Sequence, residues 1–259
     1  MVGGLNAAGA AVATVESYDP VADRWTAGPD LPVALHHHAT VNFRGVLFVI
    51  GGFLVAGDLY SRPTDRVFAL RNGAWTDMAP LRRPRGAAAA AIVDDRIVVV
   101  GGRDAGLLIG PSEAYDGGGW QDRAPIPTLR DHVATDSDGR ALYAVGGRFL
   151  SPGRTTGALE RYDPVRDAWE TLPAMPTPRG GLGAAFLSGR LVAAGGEDSS
   201  DVYPQVEAFD VATGTWSTLP SMPVPRHGLA LNAVGSSLYA LVGGSRFGVA
   251  PSRAAEVLG

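Results

Sequence analysis

Short apolar runs recur along the whole chain, and each one ends at a Gly-Gly doublet. The clearest runs are VLFVI, RIVVV, ALYAV, RLVAA and SLYALV. Runs of this length, bounded by Gly and Pro and followed by turn residues, predict buried strands. The first glycines of the doublets are 48, 50, 45, 49 and 48 residues apart, at Gly3, Gly51, Gly101, Gly146, Gly195 and Gly243. The chain therefore contains an internal repeat of about fifty residues.

Aromatic and acidic positions follow the same period. The five Trp residues come 19 to 24 residues after the doublets, at Trp25, Trp75, Trp120, Trp169 and Trp216. A Glu-x-aromatic-Asp motif lies between doublet and Trp, at Glu16–Asp19, Glu113–Asp116, Glu160–Asp163 and Glu207–Asp210. We interpret Arg66–Ala69 as a degraded copy. Several of these segments run into an Asp-Pro or Asn-Gly pair, and both pairs are typical of hairpin turns. The motif and the Trp are therefore predicted to lie on two further strands that pair with each other.

Segments rich in small residues precede the apolar runs, for example GAAAAAIV and GLGAAFL. Alanine favours helix, but these segments are short, bounded by Gly and Pro, and followed at once by apolar β-forming runs. We therefore interpret them as strands. Each repeat is then predicted to hold four strands.

The repeat contains a Gly-Gly doublet, then Tyr-Asp, then Trp. At this period the pattern resembles the kelch repeat over essentially the whole chain. The resemblance implies an all-β fold, a kelch-type β-propeller of four-stranded antiparallel blades. In that family the doublet ends the second strand, Tyr lies on the third and Trp on the fourth, so we expect these residues to be core. We expect a single domain, 1–259, with repeat boundaries near 1–35, 36–84, 85–129, 130–178, 179–225 and 226–259.

The chain begins and ends at different points of the repeat. The chain opens at the end of a second strand and stops within a third, which gives six repeats with the first incomplete. Six blades are favoured, with roughly forty residues of the first blade absent upstream. The alternative is a five-bladed ring in which residues 227–244 and residues 12–27 each supply two strands of one blade. An open sheet edge invites aggregation, so we expect the ring to be closed in some way.

Composition narrows the classes of partner. A formal charge of −4 and a pI near 5.7 argue against a nucleic-acid binder. The absence of Cys excludes disulfides, thiolate metal sites and cysteine nucleophiles. No apolar stretch is long enough to suggest a membrane span. The first residues, MVGGLNAAGA, lack a charged leader and an apolar core, so no export signal is expected in the chain as given, and the compartment stays open.

Two columns of loop residues are the candidate binding site. One column follows the doublets and the other precedes the first strands, and the resemblance to peptide-binding kelch proteins implies that both face the central channel. The ligand-binding candidates after the doublets are Phe53, Arg103, Arg148, Phe149, Glu197 and Arg246. The ligand-binding candidates before the first strands are His36, Arg85, Arg130, Arg179, Arg226 and His227.

The arginines of these columns allow two interpretations. As many as seven arginines at one mouth would form an electropositive site for an anionic small molecule or an acidic peptide or protein. Alternatively, the arginines before the first strands brace neighbouring blades through backbone carbonyls and carboxylates, as is common in kelch repeats. The sequence does not decide between them.

All five histidines fall at the level of the second column. His37 and His132 are the candidate catalytic residues, since neutral imidazole can act as acid or base. We predict no cofactor. A metal would need His36 and His38 on one side of a strand, with His132 or His227 as a third ligand. Copper chemistry of the galactose-oxidase type needs a Cys–Tyr crosslink, which a chain without Cys cannot form.

Two functions follow from these residues. The first is a binding propeller whose Arg- and His-lined channel mouth recognises an anionic or polar ligand, or a protein. The alternative is an enzyme with isomerase-, mutarotase- or lyase-like acid–base chemistry on a sugar or small acid. Bacterial kelch proteins that resemble sialic acid mutarotases imply that the fold can support such a reaction.

Overall fold

The computed structural model describes residues 1–54, 62–248, 250–252 and 254–258. All regular structure in this part of the chain is β-strand or short turn. Five antiparallel sheets follow one another along the sequence, and their innermost strands pack side by side. The predicted all-β propeller of four-stranded antiparallel blades is confirmed, with five blades, the number given as the alternative, and not the six that were favoured.

A hairpin of β1 (Glu16–Asp19) and β2 (Arg24–Ala27) opens the chain. The short strands β3 (Leu35–His36) and β6 (Phe53–Leu54) pair beside blade 1. Blade 1 consists of β4 (Ala39–Phe43), β5 (Val46–Ile50), β7 (Val67–Arg71) and β8 (Ala74–Asp77). Blade 2 consists of β9 (Ala89–Val93), β10 (Arg96–Val100), β13 (Pro111–Tyr115) and β14 (Trp120–Pro125). Its loop carries β11 (Arg103–Asp104) and β12 (Leu107–Leu108).

The remaining blades repeat this order. Blade 3 consists of β15 (Ala134–Ser137), β16 (Leu142–Val145), β17 (Leu159–Asp163) and β18 (Ala168–Leu172). Blade 4 consists of β19 (Gly183–Leu187), β20 (Arg190–Ala194), β21 (Val206–Asp210) and β22 (Thr215–Leu219). Blade 5 consists of β23 (Ala230–Val234), β24 (Ser237–Leu241) and β25 (Ala255–Leu258). The hairpin β1–β2 forms a separate sheet from blade 5, whose third strand is β25.

The doublets hold consecutive blades together. In Gly101-Gly102 the second glycine donates its N–H to the carbonyl of Arg130 in the next blade, at 3.0 Å. The same carbonyl lies only 2.6 Å from where a Cβ on Gly101 would stand, and Gly101 has a φ of +62°. A side chain there would collide with the next blade and strain the backbone, so the contact requires glycine. The Arg85, Arg179 and Arg226 carbonyls accept equivalent bonds from the preceding doublets.

The aromatic motif and the Trp form the outer part of each blade. Tyr162 pairs with Trp169 across β17 and β18, with ring centroids 5.2 Å apart. The Trp169 indole N–H also reaches the carbonyl of Ala124 in blade 2, at 3.1 Å. Trp75, Trp120 and Trp216 make the same bond to the preceding unit. These side chains therefore join neighbouring blades, as well as packing within them.

The register of blade 1 corrects one alignment made from the sequence. Leu70 pairs with Trp75, as Tyr162 pairs with Trp169, so the degraded motif is Phe68–Arg71 and not Arg66–Ala69. Phe68 therefore stands where the other blades have a buried Glu. Leu35 stands where they have Arg85, Arg130, Arg179 or Arg226, and both Leu35 and Phe68 are fully buried. Blade 1 thus replaces an ion pair by two apolar side chains in one core cluster.

Candidate functional site

The two predicted loop columns meet at one mouth of the channel, where backbone bridges pair them. The paired residues are His36 with Phe53, Gly86 with Arg103, Asp131 with Arg148, Gly180 with Glu197, and His227 with Gly244. Each doublet ends a second strand, and each residue of the other column leads into a first strand. The bridges therefore bring the start of one blade against the loop of the same blade, and the five bridges stand around the channel.

An inner ring of backbone lies just inside these bridges. Its members are His37, Ala87, His132, Gly181 and Gly228, all with φ between +51° and +64°. From Ala87 onward, each N–H donates to the carbonyl of the preceding member, over 2.6 to 2.9 Å. The left-handed conformation is unusual for His and Ala, and the inter-blade hydrogen bonds hold it. At each of these residues the chain turns from the loop into the first strand of a blade.

The positive φ of His37 corrects the expected placement of the three consecutive histidines. Alternation along a strand would put His36 and His38 on one side, but the left-handed turn at His37 interrupts it. The Nδ1 atoms of His36 and His37 are 2.6 Å apart, so one donates to the other. His38 instead faces the N-terminal segment, within contact distance of Gly3. Burial lowers the pKa of His36 and His38 to about 4.

A hydrogen-bonded group centred on His132 lies at the mouth end of blade 3. Arg148 Nη2 lies 2.7 Å from His132 Nε2, and because guanidinium only donates, Nε2 must be the unprotonated nitrogen. The proton is then on Nδ1, which donates to Asp131 Oδ1 at 2.6 Å. Burial, and then the positive charge of Arg148, lower the pKa of His132 well below its usual value. His132 is therefore a neutral ring with both nitrogens engaged.

Side chains after each doublet reach over the start of the next blade. The Phe53 ring covers Gly86, where an added Cβ would stand 2.2 Å from it. Arg103 approaches Asp131 at 3.7 Å. Arg148 pairs with Glu197 at 3.1 Å, and Glu197 in turn lies 3.5 Å from His227. These contacts form a continuous belt around the mouth, which we call the mouth belt: Phe53, Arg103, Asp131, Arg148, Glu197 and His227.

The charges of the mouth belt balance. Arg103 and Arg148 face Asp131 and Glu197, so two cations stand beside two carboxylates. Burial raises the pKa of Asp131, while the nearby Arg148 opposes the shift. Oδ2 of Asp131 and Oε2 of Glu197 are buried without a hydrogen-bond donor at bonding distance. The mouth is therefore close to neutral, unlike the electropositive site expected from the sequence.

Four of the predicted ligand-binding arginines are instead internal to the blades. Arg85, Arg130, Arg179 and Arg226 are at most 1% exposed. Each guanidinium pairs with the glutamate of the third strand in its own blade, namely Glu113, Glu160, Glu207 and Glu256. The expectation that these four meet a ligand is corrected, because the ion pairs and backbone carbonyls that surround them leave no surface open. They act as the bracing residues of the alternative interpretation.

The other candidates lie at or near the rim. Phe149 is half-buried, with the Arg154 guanidinium 5.7 Å from its ring centroid. Arg246 is exposed, and its backbone carbonyl lies 3.1 Å from His227 Nε2. Phe247 beside it is 56% exposed. Among the residues that the structure describes, no three His, Asp or Glu side chains are grouped as metal ligands.

A cavity of about 1110 Å³ opens from the channel inside the mouth. It is lined by the inner ring and by residues on either side of it in the sequence, including His36, His37, His132 and His227. Asp131 completes the mouth belt but was not among the sequence candidates; its place beside His132 in the same column was the available signal. No helix in the described parts of the chain is long and apolar enough to cross a bilayer.

Comparison with known proteins agrees with this architecture. The Kelch motif family model matches residues 2–32, 129–176 and 178–223. The Kelch-like protein terF of Aspergillus terreus is 28% identical over 217 residues, which are 75% of this chain and 46% of that protein. Human Kelch-like protein 34 is 31% identical over 198 residues, 75% of this chain and 23% of that protein. Beta-scruin of Limulus polyphemus is 29% identical over 60% of this chain and 18% of its own length.

The chain therefore spans less than half the length of these relatives. Among solved structures, that of YjhT superposes with a TM-score of 0.82, covering 97% of this chain and 89% of that chain at 14% identity. At that sequence identity the similarity shows a shared fold and nothing more. Kelch propellers typically mediate binding of proteins or other ligands. The fifty-residue repeat, the propeller it forms and these similarities together make this chain a member of the kelch-repeat β-propeller family.

Proposed function

We propose that this propeller binds a polar, uncharged group of a ligand or partner protein where the cavity reaches His37, His132 and His227. The observation that carries the proposal is the convergence of these imidazoles, from three blades, on one cavity. Burial lowers the pKa of both His37 and His132 well below the usual value, so these two rings are neutral at physiological pH. Neutral imidazoles and backbone amides recognise hydroxyl and amide groups by hydrogen bonding.

The charge balance of the mouth belt supports an uncharged ligand over an anionic one. Each of Arg103 and Arg148 has a carboxylate within 4 Å, and the four arginines inside the blades are paired with glutamates. An incoming anion would have to compete with these carboxylates for the guanidinium groups. The two buried carboxylate oxygens without a donor would also repel it.

Binding is favoured over acid–base catalysis for a similar reason. A catalytic imidazole needs a ring nitrogen that can exchange a proton with substrate. Both nitrogens of His132 are occupied by Asp131 and Arg148. A low pKa also makes the ring a weak base. The proposal therefore gives His132 the task of positioning the mouth belt.

Matched pairs of neutral and anionic small molecules test the proposal. We expect isothermal titration calorimetry to detect glucose or acetamide more strongly than glucuronate or acetate. His37→Ala and His227→Ala should each weaken binding of the neutral member about tenfold, the loss of one good hydrogen bond. Val165→Ala is the control, because Val165 is 83% exposed in the turn between the outer strands β17 and β18, away from the cavity.

Two results would contradict the proposal. Preferential binding of the anionic members would show that the mouth arginines are available to an anion after all. Equal affinity in the two histidine variants and the parent would put the site somewhere else on the propeller. In either case circular dichroism of the variants must match the parent, so that loss of folding is separated from loss of a contact.

A further inference from the structure

The outer strands of blades 1 to 4 differ in charge. Each of them carries a Trp, and the two residues that follow the Trp are Thr-Asp in β8, Gln-Asp in β14, Glu-Thr in β18 and Ser-Thr in β22. Blades 1, 2 and 3 therefore each have a carboxylate at one of these two positions. In β22 of blade 4, whose sequence is TWSTL, every side chain is uncharged.

The uncharged strand β22 lies at the outer edge of its sheet. The strands of blade 4 follow one another in the order β19, β20, β21 and β22. Thr215, Ser217 and Thr218 of β22 are exposed. Charged side chains protect an edge strand from pairing with a strand of another molecule, because the pairing would bring the charges together. An exposed edge that has no charge and is rich in the strand-forming residues Thr and Trp is open to such pairing.

The hydrogen bonds of β21 determine which backbone groups of β22 point outward. The carbonyl of Gln205 accepts a hydrogen bond, at 3.0 Å, from the doublet that ends β20. Neighbouring residues of a strand direct their backbone groups to opposite sides, so those of Val206 face β22, where Leu219 is the partner in the register. Leu219 and every second residue before it therefore bond to β21. The N–H and C=O groups of Trp216 and Thr218 point away from the sheet.

We propose that β22 pairs antiparallel with β22 of a second copy of this chain, across a two-fold axis at Ser217. Trp216 of each copy then stands opposite Thr218 of the other copy. Each of these two residue pairs exchanges two N–H to C=O hydrogen bonds, because both members direct their backbone groups outward. The blade 4 sheets of the two copies become one continuous sheet.

The lack of charge at the axis favours a second copy as the occupant. In a two-fold antiparallel pair the residue at the axis faces itself, with the two Cα atoms about 4.5 Å apart. Ser217 is small and uncharged at this place. Glu170 follows the Trp of β18 as Ser217 follows that of β22, so the same pairing of β18 would bring two carboxylates together. Like charges directly opposite each other destabilise a strand pair.

The edge is separate from the site of the proposed function. The residues that line the cavity come from other strands and loops, and none belongs to β22. The mouth belt likewise includes no residue of β22. The proposed dimer therefore leaves the cavity open, and a failure of either proposal would not decide the other.

Association at high protein concentration tests the proposal. A contact along one strand edge is smaller than the roughly 1,200 Å² that stable interfaces bury, so we expect a weak dimer. In sedimentation equilibrium the average mass should rise from monomer toward dimer as the concentration approaches the millimolar range. Hydrogen–deuterium exchange should become slower in β22 over the same range, because the amides of Trp216 and Thr218 become bonded.

Variants locate the contact on the protein. Ser217→Glu places two carboxylates opposite each other at the axis and should weaken association at least tenfold. Thr76→Glu is the matched control, since Thr76 is exposed and follows the Trp of β8 as Ser217 follows that of β22, and it should leave association unchanged. Thr218→Pro removes an N–H that β21 does not use and should also weaken the dimer. Circular dichroism of each variant must match the parent.

Three results would overturn the proposal. The first is a parent chain that stays monomeric at the highest concentration. The second is a dimer that persists in Ser217→Glu, or that Thr76→Glu weakens equally, because another surface would then hold the two copies together. The third is exchange that slows with concentration in a strand other than β22.

Discussion

At the residue scale, burial fixes the protonation of the channel histidines. The pKa of His36 and His38 is about 4 because the charged ring would lose its hydration inside the protein. Burial also lowers the pKa of His37 and His132, and the neighbouring imidazoles and Arg148 act in the same direction. Neutral rings can pack closely, which is why His37 and His132 stand with ring centroids 5.0 Å apart. The channel therefore keeps hydrogen-bonding groups without net charge.

These shifts predict an acid-sensitive fold. Between pH 6.5 and about pH 4 the unfolded chain protonates His36 and His38, while the folded chain does not. The free energy of unfolding should therefore decrease as the pH falls through this window, by at most about 3 kcal/mol for each ring. Urea unfolding at pH 7 and pH 5 measures the decrease. His38→Gln should show a smaller decrease, and an unchanged one would disprove the contribution of His38.

At the element scale, a buried Arg–Glu pair braces most blades. Arg130 lies 2.5 Å from Glu160, with both side chains fully buried, and it also donates to the carbonyls of Gly146 and Ala144. The glutamate accepts from the N–H of Thr128 as well. The pair thus joins the loop before the first strand to the second and third strands of the same blade. Blade 1 achieves the same closure with Leu35 and Phe68.

This natural replacement predicts a double-variant experiment. Arg130→Leu or Glu160→Phe alone should lower the free energy of unfolding by about 3–5 kcal/mol, because the remaining partner is a buried, unpaired charge. The combined variant should recover at least half of the summed loss. Chemical denaturation at fixed pH provides all three values. Additive losses would show that the apolar pair of blade 1 depends on its surroundings and is not transferable.

The Trp side chains make a second connection between elements. Trp169→Phe removes the indole N–H that reaches Ala124 in the previous blade, and should lower the free energy of unfolding by about 1–2 kcal/mol. Trp25 borders the cavity and supplies the control, so Trp25→Phe should have a smaller effect. Thermal and urea unfolding of both variants give the comparison. Equal effects would mean that ring packing, and not the hydrogen bond, accounts for the loss.

At the scale of the whole molecule, the innermost strands of the five blades pack side by side in the order β4, β9, β15, β19 and β23. The inner-ring hydrogen bonds run from His37 through Ala87, His132 and Gly181 to Gly228. Two elements belong to smaller sheets: β25 is the outer strand of a three-stranded blade, and β1–β2 is a two-stranded sheet. Blades 2, 3 and 4 are covered on both sides.

This asymmetry predicts a gradient of local stability. Amide hydrogens of β25 and β1 should exchange faster than those of β16 and β20, because sheet edges open without breaking the core. Hydrogen–deuterium exchange with mass spectrometry resolves these segments. Uniform protection across all of these segments would contradict the prediction.

The sequence by itself determined the repeat, the order of the strands and the positions of the doublets and Trp residues. These features are readable locally, because turn residues and strand periodicity act over a few residues and a recurring Gly-Gly doublet marks a backbone that tolerates no side chain. The same period predicted that the two loop columns recur in phase. For that reason, the histidines and the loop arginines could be named before any coordinates.

Only the tertiary structure decided what those side chains contact. Arg103 and Arg130 belong to the same pair of columns, yet one stands at the mouth and the other is buried against Glu160, 30 residues further along the chain. The left-handed turn at His37 and the true register of Phe68 are likewise set by neighbouring strands and blades. The repeat fixes the position of each side chain on the fold. What the side chain does depends on its burial and on the charges around it, which come from residues distant in the sequence.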